Sequence, residues 1–151
     1  MAEGDGTLYA RFKSLLMEGV IDLATGGDTL KVTLHDGYTP SQAHVDWADV
    51  SATEYGTGVG YTAGGKTLGS QTVSTNATIH RGEFDGADVA WTALGPLTPA
   101  TPSHAILWDD TPATPVTDPL IGYWELGSTA TNGGDYTLQW STSPSAIILL
   151  T

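Results

Sequence analysis

Gly26-Gly27-Asp28-Thr29-Leu30-Lys31-Val32-Thr33-Leu34-His35-Asp36-Gly37 is the stretch that decides the fold class. Before the glycine pair, apolar residues keep a helical spacing: Leu8, Phe12, Leu15 and Leu16 fall at i, i+4, i+7 and i+8 within Thr7 to Met17. After it, Leu30, Val32 and Leu34 alternate with Lys31 and Thr33, the period of a half-buried strand. Gly19 stands where a short helix would stop. From His35 onward, His35-Asp36-Gly37-Tyr38-Thr39-Pro40 reads as a turn.

Period two persists from there. Candidate strands are Lys66 to Leu68, Thr72 to Ile79, Gly82 to Trp91, Ser103 to Trp108, Leu120 to Leu126, Asp135 to Trp140 and Ala146 to Leu150. Gly64-Gly65, Gly95-Pro96, Asp109 to Pro112 and Asn132 to Gly134 punctuate most of them. About seven or eight short strands so spaced predict an all-β fold, an antiparallel β-sandwich of jelly-roll type with a short N-terminal helix. Ser41 to Glu54, with Val45, Trp47 and Val50, reads as a helical turn or an ordered loop. The proline stretches at Pro96, Pro99, Pro102 and at Pro112, Pro115, Pro119 read as extended connectors, too short to separate domains. One domain over residues 1–151 is expected, with a helical segment at 1–19 and the sandwich at 29–151. The last apolar run shows no alternation and predicts a strand covered on both faces.

Composition narrows the function. Lys plus Arg number 5 and Asp plus Glu 17, a net charge of −12, which argues against phosphate-neutralising nucleic-acid binding and against an anionic membrane surface. With no cysteine, disulfides, thiolate metal sites and cysteine nucleophiles are excluded together. No basic region precedes an apolar run in Met1 to Gly6, and no apolar run approaches the roughly 20 residues of a membrane helix. A soluble protein made in a cytoplasm is therefore expected.

Gly60-Tyr61-Thr62-Ala63-Gly64-Gly65-Lys66-Thr67 satisfies the phosphate-loop spacing G-x-x-x-x-G-K-[ST], and Ala105-Ile106-Leu107-Trp108-Asp109 imitates the strand that ends in a magnesium-binding aspartate. The mechanism needs a buried strand before the loop and a helix after it. Glycine-rich Glu54 to Gly58 and β-branched Leu68 to Val73 supply neither, so an exposed lysine on a glycine-rich hairpin is expected. His35, His44, His80 and His104 show no metal spacing, and no G-x-S-x-G elbow anchors a hydrolase triad. The carboxylate clusters Asp46/Asp49, Asp85/Asp88 and Asp109/Asp110 do not fit the twelve-residue calcium loop, which leaves an ion between subunits as the open option. Asn76-Ala77-Thr78 is a sequon without a secretory signal. No catalytic residue, resident metal or cofactor is expected. Trp91, Trp108, Trp124 and Trp140 read as core anchors, and Trp47 as an interface residue.

The order of several segments resembles a family of small bacteriophage virion structural proteins. They are the helix running into Gly19-Val20-Ile21-Asp22-Leu23, the strand Leu30 to Leu34, Gly37-Tyr38-Thr39-Pro40, Gly58 to Leu68, Phe84 to Trp91, Ala105 to Asp109, Pro119 to Tyr123 and the closing apolar strand. The resemblance implies a head decoration, or cement, protein on the outer surface of the capsid. Its partners would be the major capsid protein and copies of itself, as a trimer or dimer at a local symmetry axis. A tail or fibre module that binds host glycans is the alternative. Tyr9, Arg11, Phe12 and Lys13 are the expected contact residues, since Arg11, Lys13 and Lys31 put three of five basic residues early in the chain, beside aromatic surface.

Overall fold

The computed structural model describes residues 6–111, 114–140 and 146–150. The first residues read for a leader, Met1 to Asp5, and Pro112 of the second proline stretch lie outside them. The fold is all-β. Its elements are β1 (Thr7–Leu8), α1 (Ala10–Met17), β2 (Leu30–His35), two 3-10 turns (Trp47–Asp49 and Ser51–Thr53), β3 (Lys66–Thr67), β4 (Thr72–Asn76), β5 (Arg81–Asp85), β6 (Val89–Trp91), β7 (His104–Asp109), β8 (Leu120–Glu125), β9 (Tyr136–Leu138) and β10 (Ile148–Leu150). They form antiparallel sheets in the orders β1-β8-β7-β2-β3, β10-β5-β4 and β6-β9. A jelly roll sets eight strands in two sheets. Here the strands divide five, three and two, so the coarser description, an antiparallel sandwich-like fold, is the one that holds.

The five-stranded sheet is the frame. β2 and β7 pair from Leu30 opposite Asp109 to His35 opposite His104. Every residue of β7 is buried, because both faces of this central strand are covered and its apolar run Ala105-Ile106-Leu107-Trp108 needs no polar alternation. α1 packs Phe12 and Leu15 inward, as its period requires. It ends in a Schellman motif: Val20 N–H donates to Leu15 O (3.0 Å), Gly19 N–H donates to Leu16 O (3.2 Å), and Gly19 takes φ +71°. Among the described residues no helix is long and apolar enough to cross a membrane.

Three expectations change. The helix starts at Ala10, not Thr7, because Thr7 and Leu8 pair as β1 with Tyr123 and Gly122 of β8. Gly82 to Trp91 is not one strand: β5 joins the three-stranded sheet and β6 the two-stranded one. At the break, a Cβ on Gly86 would come within 2.9 Å of Leu68, and Ala87 N–H bonds Gly69 O instead of a strand partner. The run Ala146 to Leu150 is not covered throughout. Ile147 and Ile148 are buried, but β10 pairs only with β5 among the described residues and leaves Leu150 46% exposed.

The phosphate-like loop is held by the chain itself. Gly64 N–H (2.7 Å) and the Tyr61 hydroxyl (2.8 Å) both donate to Glu54 Oε1, so an internal carboxylate takes donors that a phosphate would need. The loop ends in β3, a strand, where the nucleotide fold begins a helix, and Lys66 Nζ donates to Ala90 O at 2.6 Å. A Cβ on Gly65 would fall 2.0 Å from Val32 O, which explains glycine there.

Candidate interaction surface

The buried polar groups come first, since they are where catalysis would be built. His35 is fully buried on β2, with Nε2 2.9 Å from Thr33 Oγ1 and Nδ1 2.9 Å from Thr53 Oγ1. Burial, and secondarily the neighbouring His104, push its pKa down to about 3, so it is neutral at ordinary pH. The Tyr9 and Tyr38 hydroxyls meet at 2.6 Å, and Tyr38 reaches His44 Nδ1 at 2.9 Å. Burial raises the pKa of both tyrosines, which keeps them protonated. These bonds fasten the loop after β2 onto the sheet. Ser103 Oγ lies 3.0 Å from His104 Nδ1, but it also donates to His35 O (3.1 Å), and Nε2 of His104 meets no orienting partner. The arrangement lacks the third group that a nucleophile and its base require. Among the described residues no three carboxylate or imidazole groups converge into a metal-ligand set.

The other feature is a surface. α1, the segment after it and the three-stranded sheet enclose a groove of ≈ 280 Å³ lined chiefly by Leu16, Ile21, Val73, Phe84, Ile148 and Leu150. Each wall has a local cause. Leu16 sits at the margin of the apolar stripe of α1, next to the Phe12 and Leu15 face that enters the core. The Schellman turn at Gly19 sends Ile21 back against the sheet. Phe84 points inward from β5 opposite Ile148 of β10, while Val73 faces Phe84 across the β4–β5 pair. Of the lining residues Val73 is 58% exposed and Leu150 46%; Met17, at the end of α1, is 83% exposed. Apolar groups gathered in this way are a feature of binding surfaces. β10 adds an open backbone edge, with no strand beyond it among the described residues.

The anticipated contact residues divide. Tyr9 and Phe12 are wholly buried and are corrected to core positions: Tyr9 bonds Tyr38 and tilts against Tyr123, and Phe12 faces inward from α1. Arg11 stays on the outer side, paired with Glu18 at 3.1 Å. Lys13 is exposed one helical turn before Met17, on the same side of α1. Trp47 is partly buried. It stacks on Trp108 with centroids 4.6 Å apart and planes 18° apart, so it anchors its 3-10 turn. Trp91, Trp108, Trp124 and Trp140 are all core residues, as anticipated. The sequence reading missed Ile21, Val73 and Leu150. Their signal was weak, because the groove is assembled from the segment after α1, β4 and β10, which are far apart in the chain. Compared with known proteins, the chain matches no family model, no curated protein and no solved structure.

Proposed function

We propose that this chain is a non-enzymatic virion structural protein that decorates an assembled capsid, docking through the groove beside α1 onto the major capsid protein. The observation that carries the reading is the groove itself: apolar groups of α1, β4, β5 and β10 lie together beside an open strand edge, with Asp22 and Glu83 at the margin. On a chain of net charge −12, whose groove is lined by apolar side chains with Asp22 and Glu83, the apolar wall is what a partner segment would meet. The buried imidazoles and hydroxyls are spent on holding loops, which suits a protein that acts by surface complementarity. A decoration site built from neighbouring capsid subunits is whole only on the lattice, so many copies would bind assembled shells and ignore free subunits. Self-association as a trimer or dimer would match a local symmetry axis. The glycan-binding alternative gains nothing from the tryptophans, four of which are core residues while Trp47 is stacked on Trp108.

The test is cosedimentation with assembled shells. The parent should pellet with shells and stay free when mixed with unassembled capsid subunits. Leu150→Asp with Val73→Asp, both exposed on the groove, should weaken shell binding at least tenfold, while Trp47→Ala leaves it unchanged. A double variant that folds and binds as the parent does overturns the groove; a parent that ignores shells overturns the capsid role.

A further inference from the structure

Six strands stand at sheet edges among the described residues, and five of them are only two or three residues long: β1, β3, β6, β9 and β10. A short edge protects against pairing with another chain, because it offers few free N–H and C=O groups. β4 is the exception. Thr72–Asn76 spans five residues and pairs with β5 without a register shift, from Thr72 opposite Asp85 to Asn76 opposite Arg81. It carries no lysine, no proline and no bulge, the devices that blunt an exposed edge. Four of its five residues are exposed, Val73 among them. The direction of its backbone follows from its neighbours. Ile147 N–H donates to Phe84 O at 2.8 Å, so the polar backbone groups of Phe84 are turned toward β10. Val73, opposite Phe84, then directs its own N–H and C=O away from β5, as does Thr75 two residues on. These groups line the side of β4 on which no strand follows among the described residues.

Charge decides the occupant. With a net charge of −12, two copies of this chain repel one another wherever acidic surfaces meet. β4 escapes that repulsion: residues 67–80 contain no Asp, Glu, Lys or Arg, and Glu83, opposite Ser74, is paired with Arg81 at 2.8 Å. An uncharged edge gives a partner of opposite charge nothing to select, but it matches itself. Run against a second copy, Thr72-Val73-Ser74-Thr75-Asn76 sets β-branched and hydroxyl side chains opposite one another, with no like charges across the seam. We propose that β4 pairs antiparallel with β4 of a second copy about a twofold axis at Ser74, joining two three-stranded sheets into one continuous sheet. Val73 of each copy then exchanges backbone hydrogen bonds with Thr75 of the other. Such an axis is normal to the sheet, so both grooves open on the same side of the dimer. The pairing does not depend on the capsid reading.

The experiment is sedimentation equilibrium of the full chain over a wide concentration range, with amide hydrogen exchange at both ends of that range. A reversible monomer–dimer equilibrium is expected, reaching twice the 15.7 kDa of one chain. The Val73 and Thr75 amides should exchange slowly in concentrated protein and fast on dilution. Thr75→Pro removes an outward N–H that β5 does not use, a change an edge strand tolerates. It should weaken association at least tenfold and leave the melting temperature of the dilute protein within about 3 °C of the parent. Ser74→Lys sets two ammonium groups across the axis and should weaken association as much. If Thr75→Pro does not fold, Ser74→Lys decides. A parent that stays monomeric at every concentration, or that forms trimers instead, overturns the pairing. So does a dimer of parental affinity in either folded variant, or one that leaves the two amides unprotected. No readout involves shells, so a failed dimer and a failed capsid role are told apart.

Discussion

β7 and β4 are both antiparallel strands of ordinary length, and they live in opposite surroundings. His104–Asp109 lies between β8 and β2 and is buried at all six positions, whereas Thr72–Asn76 lies at the edge of its sheet and is exposed at four of five. The first strand is apolar through its middle, and the second is Thr-Val-Ser-Thr-Asn. β-Branched residues form strands in either setting, because strand propensity describes a fit to the pleat and leaves burial undecided. Stability therefore concentrates in the five-stranded sheet, and the three-stranded sheet is free to present Val73, Phe84 and Leu150 to the groove.

The comparison can be broken most directly in the core. Leu107→Ala, at a fully buried position of β7, should cost about 2–5 kcal/mol in urea unfolding, since the packed sheet cannot collapse around the lost volume. A loss below about 1 kcal/mol, within the range of ordinary surface changes, would mean that β7 is not the frame.

Titration sharpens the same contrast, because buried His35 and Asp109 both sit on the five-stranded sheet. His35 has its pKa lowered to about 3 in the fold, so the unfolded chain binds its proton first. Its contribution is complete above the ordinary histidine value of 6.5 and fades as pH falls toward 3, by up to about 1.4 kcal/mol per unit. Asp109 has the reverse sign. Its raised pKa stabilises the fold at acid pH, and that contribution fades as pH climbs above the ordinary aspartate value of 3.8. The two slopes oppose each other between pH 4 and 6.5. Asp109→Asn should therefore show stability rising with pH across that window, and His35→Gln should show it falling. Denaturation midpoints at several pH values check this, and equal slopes in the two variants would defeat the assignment.

The smallest effect belongs to the β4–β5 turn. Asn76 Oδ1 accepts from Thr78 N–H (3.2 Å) and Ile79 N–H (3.4 Å), and Asn76 Nδ2 donates to Glu83 Oε1 (3.1 Å). Asn76→Ala should cost about 1 kcal/mol. It should speed amide hydrogen exchange in β4 and β5 while leaving β7 protected. Uniform acceleration would show that the two sheets open together.

Much of this was legible in the chain. The change of period at Gly26-Gly27 announced the strands, the Leu8 to Leu16 stripe announced α1, and Gly19 marked its stop. The residues around Gly60 to Thr67 were enough to deny that loop its strand and helix. These are local properties: backbone preference and side-chain period act within a few residues and need no knowledge of distant neighbours. The tertiary structure alone decided what covers each face. It buried Tyr9 and Phe12 beneath β8 and the loop after β2, split Gly82 to Trp91 between two sheets, and left Leu150 open at an edge. Periodicity reports which residues share a face; which other segment meets that face depends on contacts between residues dozens of positions apart, and those exist only once the sheets have assembled.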